Sequence, residues 1–150
     1  MLDDYEQYEI ECNRIRASNE KLLDDFETWL RKSNLADKTI GKHIDNIDFY
    51  INEYLLYEDA VEPQDGVHSV SMFLGYWFIR KAMWASKASI KSNAASLKKF
   101  YAFLGERGLV SQDDLAALNE TIKEEMPDWL ATLTRYDDSS ITDMAEVWGL

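Results

Sequence analysis

Apolar residues return every three or four positions along almost the whole of this chain. Tyr5, Tyr8, Cys12 and Ile15 keep that spacing, and so do Leu22, Leu23, Phe26, Trp29 and Leu30. Ile40, Ile44, Ile47, Ile51, Tyr54 and Leu55 make a further stripe, and Ile90, Ala94, Leu97, Tyr101 and Leu104 another. Such a recurrence places one apolar face on a helix, whereas a half-buried strand alternates every second residue. No stretch here alternates. Two prolines (Pro63, Pro127) and six glycines in 150 residues leave too little turn-forming material for a β fold. The pattern predicts an all-α protein.

The interruptions set the elements. Residues 3–17 read as an amphipathic helix, and Ser18 or Asn19 caps a second, unless the two form one bent helix. Asn34 to Asp37 is a polar break, and Glu58 to Gly66, with Pro63 inside it, is the clearest loop. Val67, Val70, Phe73, Leu74, Trp77, Phe78 and Lys81 then share a face that Met72, Tyr76, Ile79 and Met83 widen, as a central helix requires. After a break at Ser86 to Ser89, the 90–104 helix ends at Gly108, a left-handed cap. Ser111 to Asp114 resembles a capping box, and Pro127 opens a last turn or two carrying Trp129, Leu130 and Leu133. The expected architecture is a compact orthogonal bundle of four main helices, with an additional N-terminal helix and a short C-terminal helical tail. One domain covers residues 1–136 and an acidic tail residues 137–150.

Charge is distributed unevenly. The net charge is −12, which by itself argues against nucleic acid, since DNA affinity comes largely from Lys and Arg at phosphates. Taken by segment, residues 1–30 carry −6, 31–43 carry +3, 44–79 carry −7, 80–107 carry +6 and 108–150 carry −8. Basic charge is therefore confined to two segments of an acidic chain. The single cysteine, Cys12, permits no intrachain disulfide and suits a reducing compartment. The start, Met1 to Glu6, is acidic and lacks the basic-then-apolar order of a signal peptide, and the longest apolar run, Met72 to Ile79, is too short to span a bilayer. These features predict a cytoplasmic protein without a membrane partner.

Two stretches share a plan. Asp37-Lys38-Thr39-Ile40 runs to Asp48-Phe49-Tyr50, and Ala88-Ser89-Ile90-Lys91 runs to Phe100-Tyr101-Ala102-Phe103-Leu104. Each resembles a DNA-facing helix, the second and the fourth, of the N-terminal, SAM-like core-binding domain of phage integrases and tyrosine recombinases. Leu22 to Leu30 is similar to that family's opening helix, and Gly105 to Val110 to its turn after the fourth helix; the resemblance covers residues 20–130. It implies half of a C-shaped clamp around duplex DNA, with the two basic segments on the DNA side. The departures are equally definite. The family's catalytic domain would begin where this sequence stops, so the resemblance implies no catalysis here. The only histidines are His43 and His68, without a His-x-x-Arg element, and Ser111-Gln112-Asp113 stands where the family has Asn-Pro.

The candidate DNA contacts are Lys87, Lys91, Lys98 and Lys99 with Ser89, opposite the apolar stripe of their helix. Arg80 precedes them, and Lys38 and Lys42 belong to the other basic segment. An ordinary solvated face would carry the same lysines, while Arg31, Lys32 and Arg80 would also suit helix C-termini. Of the five tryptophans, Trp29, Trp77 and Trp129 fall on apolar stripes and belong to a core; Trp84, at a stripe's edge beside the basic segment, is the one candidate for nucleic-acid contact. The pairs Asp24-Asp25, Asp113-Asp114 and Asp137-Asp138 lack metal-ligand spacing, and no nucleophile–base pair or phosphate-binding glycine loop is present, so no enzyme, metal or cofactor is expected. Two functions remain. One is a recombinase-like DNA-binding domain, accessory to integration or recombination. The other is an acidic protein-interaction module that docks a basic partner on residues 44–65 and 108–146, with Met144 and Trp148 as an anchor.

Overall fold

A computed structural model describes residues 1–149. Among them there is no strand, and the chain is an all-α bundle, as the periodicity predicts. Helix α1 runs over Asp4–Arg31 without interruption, so the two N-terminal stripes lie on one helix about 42 Å long. Its first half buries Cys12 and Ile15 against Leu56, and its second half buries Phe26 against Phe100 and Phe103 at 5.3 and 5.4 Å between ring centroids. A helix this long touches two separate parts of the bundle along one continuous face, Cys12, Ile15, Asn19, Phe26 and Leu30. Asn19 belongs to that face rather than to a cap: it is buried and its Nδ2 donates to Asn52 Oδ1 at 2.9 Å.

Asn34 turns the chain at φ 58°, in the left-handed region that asparagine tolerates. Arg31 spans the turn by pairing with Glu27 on its own helix and with Asp37 at 2.8 Å at the start of α2, Asp37–Asp48. Helix α2 widens into a π-helical segment, Phe49–Tyr54. The next helix, α3, does the same: Val70–Met72 is α-helical, Phe73–Trp77 is π-helical and Phe78–Lys81 returns to α. An extra residue in a turn spreads neighbouring side chains over a broader arc. Phe49, Tyr50 and Tyr54 can thereby all meet Phe73, Tyr50 and Tyr54 at 4.9 Å each, while Tyr54 also reaches Trp77 at 5.2 Å.

Between these two segments lies the predicted loop, tightened by a 3₁₀ turn over Pro63–His68. Two buried phenols fasten it. Tyr50 Oη donates to the Gly66 carbonyl at 2.7 Å, Tyr101 Oη donates to the Pro63 carbonyl at 2.9 Å, and the two hydroxyls are 2.9 Å apart. Burial raises the pKa of both phenols, so they stay protonated as donors.

A reciprocal cap opens α4, Lys87–Glu106: Ser86 Oγ accepts from Ser89 N at 3.0 Å and Ser89 Oγ accepts from Ser86 N at 2.7 Å. Gly108 ends it at φ 74°, as predicted. Helix α5 spans Gln112–Asp137 and contains Pro127, which does not start a new element as the sequence suggests. Pro127 and Lys123 are both exposed, so water can satisfy the carbonyl that the imide leaves free. Trp129 and Leu133, buried on the opposite face, hold the helix straight through. The tail folds back as a single turn, α6, Met144–Val147, where the Val147 carbonyl accepts from Arg135 Nε at 3.0 Å. Trp148 then packs on Tyr76 and Tyr136, at 4.6 and 5.9 Å.

Two tyrosine and tryptophan substitutions separate paid from unpaid polar burial. Tyr101→Phe leaves the Pro63 carbonyl without its donor and should lower the unfolding free energy by about 1–3 kcal/mol. Trp77 Nε1 is buried with no hydrogen-bond partner among the described residues, so Trp77→Phe removes an uncompensated donor together with part of a ring packed on Phe49, Tyr54 and Tyr57, and should cost less than Tyr101→Phe. Urea denaturation of the two variants beside the parent measures both.

Candidate nucleic-acid interface

Helices α2 and α4 both contribute to the apolar core, and a seam of polar side chains runs along their contact. His43 Nδ1 lies 2.7 Å from Ser96 Oγ, and Asn46 Nδ2 donates to Ser92 Oγ at 3.0 Å and to Ser96 Oγ at 2.9 Å. Contacts therefore advance along α2 as they retreat along α4, and the helices run in opposite directions here. Ser92, Ser96 and Lys99 lie three or four residues apart, on one stripe of α4. His43 is 7% exposed. Its pKa is held below the ordinary 6.5, first by burial and second by the positive charge of Lys99. That influence puts Lys99 at the His43 end of the seam.

The candidate residues divide by position. Lys42 is adjacent to His43 and Lys38 lies one turn before it, so both share an end of the seam with Lys98 and Lys99. Lys87 and Lys91 lie in the first turns of α4, toward the other end of the helix. Lys38, Lys42, Lys87, Lys91 and Lys98 are exposed and Lys99 is half-buried. None of the six forms an ion pair or a side-chain hydrogen bond among the described residues. Most other cations are engaged. Arg14, Lys21, Arg31 and Arg107 pair with carboxylates, Lys81 and Arg80 bond tyrosine hydroxyls, and Arg135 holds a backbone carbonyl. Arg16, Lys32 and Lys123 are the remaining cations outside such contacts.

Three candidates are placed differently from the sequence reading. The Ser89 hydroxyl is consumed by the cap of α4, accepting from Ser86 N and donating back to the Ser86 carbonyl at 3.0 Å, so it offers nothing outward. Arg80 donates to Tyr76 Oη at 2.7 Å with its guanidinium 5.5 Å from that ring; it belongs to the Tyr76–Trp148 side of the molecule rather than to the seam. Trp148, the anchor of the interaction-module reading, is half-buried on its own chain. Trp84 is placed as expected, 58% exposed just before α4, with its ring 5.2 Å from Phe49.

A pocket of about 360 Å³ opens beside Trp84 at the Lys87 end of the seam, with Asp45, Asp48 and Glu53 on its rim. The sequence shows those carboxylates on the polar side of α2 but not that an indole would close over them. No family model, no curated protein and no solved structure matches the chain. Among the described residues no helix is long and apolar enough to cross a membrane.

The seam gives stability a pH dependence. Because the His43 imidazole binds its proton less readily folded than unfolded, its contribution is complete above pH 6.5 and declines as the pH falls through that value, levelling off below the folded pKa. Urea midpoints should drop between about pH 7.5 and about pH 5.5. His43→Asn, which keeps a polar group near the Nδ1 position, should show a smaller drop.

Proposed function

We propose that this protein binds duplex DNA through the phosphate backbone, using the lysines of α2 and α4, and that it serves as a non-catalytic accessory to integration or recombination in the cytoplasm. The observation that carries the reading is the segregation of cations. In a chain of net charge −12, the lysines of two antiparallel helices stay free of carboxylates while most other cations are paired or bound. Free, exposed ammonium groups on adjoining helices suit phosphates spaced along a strand, and binding them releases condensed counterions. The resemblance to the recombinase core-binding domain points to the same two helices. Lys38, Lys42, Lys98 and Lys99, grouped at one end of the seam, are the principal contacts. Lys87 and Lys91, in the first turns of α4, are further contacts. No base-reading residue is assigned, and the acidic remainder of the surface repels the same phosphates, so affinity should be modest and strongly salt-dependent.

Fluorescence anisotropy of a labelled random duplex, titrated at low and moderate salt, tests this. The parent should bind with a dissociation constant on the order of micromolar at low salt. Each lysine that meets a phosphate should contribute about one unit to the slope of log K against log salt. Lys87→Glu/Lys91→Glu/Lys98→Glu/Lys99→Glu should abolish binding. Absence of binding at low salt, or equal binding by that variant, would overturn the proposal.

A further inference from the structure

The pocket beside Trp84 has a polarity opposite to that of the lysine face. Its rim carboxylates, Asp45, Asp48 and Glu53, are exposed and enter no ion pair among the described residues. Its floor includes Asn93, which is 3% exposed. Asn93 Nδ2 donates to the Ser89 carbonyl at 2.8 Å, and since a carbonyl can only accept, this bond fixes the orientation of the amide. Oδ1 is left lining the pocket and accepts no hydrogen bond among the described residues. Asn46 is in the same position, its Nδ2 spent on Ser92 and Ser96. The Trp84 indole N–H and the second N–H of Asn93 are donors at the cavity, while its charged groups are all carboxylates, of which Asp48 also accepts from Asn52 Nδ2.

The walls are aromatic. Trp84 meets Phe49 edge-on at 5.2 Å and 71°, and Phe78 at 6.3 Å and 82°, while Trp84 remains 58% exposed. An aromatic face attracts a diffuse cation, and carboxylates with a buried amide oxygen require a donor of several N–H groups. A bare metal ion fits less well, because among the described residues no set of three or more His, Cys, Asp or Glu is placed to hold one. A volume of about 360 Å³ accommodates a group the size of a side chain.

We propose that this pocket binds an organic cation, a guanidinium or alkylammonium group, with Asp45, Asp48 and Glu53 supplying charge, Asn93 Oδ1 a buried acceptor, and Trp84 and Phe49 the aromatic wall. Such a group can come from an arginine or lysine of a basic protein or from a free polyamine. The assignment does not rest on DNA binding, and its test contains no DNA.

The full chain, labelled with ¹⁵N, is titrated at constant ionic strength with N-acetyl-arginine amide, with spermidine and with magnesium chloride. The indole N–H of Trp84 and the carboxamide of Asn93 report. Saturable shifts of both signals with an organic cation are expected. Asp45→Asn/Glu53→Gln and, separately, Trp84→Ala should weaken binding about tenfold or more. Both alter exposed side chains, and unchanged circular dichroism confirms that they fold. Saturation by N-acetyl-arginine amide supports the pocket with a protein side chain as its source, and saturation by spermidine alone supports it with a polyamine. No saturable shift, equal shifts in the variants, or the same shifts with magnesium would overturn the proposal.

Discussion

The hydroxyls of Tyr50 and Tyr101 hold the least regular part of this chain to its most regular part. Between α2 and α3 the backbone runs through a loop and a 3₁₀ turn. The carbonyls of Pro63 and Gly66 each accept from a buried phenol, and that of Gly66 also accepts from Ser69 N at 2.9 Å. There are two hydroxyl protons for three close contacts, so while both phenols donate to the carbonyls the 2.9 Å approach of the two hydroxyls carries no proton of its own. Gly66 belongs to the same arrangement. A Cβ there would lie 2.9 Å from Tyr50 Oη and 2.8 Å from Leu55 Cδ1. The loop is therefore pressed directly onto the tyrosine, and that contact fixes where α3 begins.

From this anchor follows the aromatic packing of the two π-helical segments. Their widened turns bring Phe49, Tyr54, Phe73 and Trp77 into one cluster. The outer edge of that cluster, continued through Phe49 to Trp84, forms the wall of the acidic pocket. The pocket is thus a consequence of how α2 and α3 pack, supported by tightly packed rings behind it. A buried Trp77 N–H without a partner is the one polar group this packing leaves uncompensated among the described residues.

Along the α2–α4 seam, Lys38, Lys42, Lys98 and Lys99 lie toward the His43 end and the pocket carboxylates toward the Phe49 end, where α4 begins with Lys87 and Lys91. An anionic strand laid along the lysines would meet Asp45 and Asp48 if it continued, which limits the length of any contact. A basic partner bound at the pocket would screen those carboxylates.

The all-α class, α2, α4, the Gly108 cap and the Ser111 cap were legible because each is a local matter: period, capping chemistry and a positive φ are set by neighbours in sequence. The confinement of basic charge to two segments was equally readable, since it needs only the order of residues. Three features differed from the sequence reading, through distant contacts for α1 and Trp148 and through partners three or four residues away for Ser89 and Arg80. The α1 stripes merged into one helix because the loop around Leu56 and the Phe100–Phe103 face each cover part of it. Pro127 stayed inside α5 because burial of Trp129 and Leu133 outweighs one lost hydrogen bond. Ser89, Arg80 and Trp148 carried the right chemistry for outward roles but found partners on their own chain. Sequence alone determined the helical class, the caps at Gly108 and Ser111 and where the cations lie in the chain, because backbone propensity and charge are properties of the residues themselves. Which cations remain free, and that three carboxylates share a pocket with an indole, was decided only when the helices packed, because pairing is a property of distance.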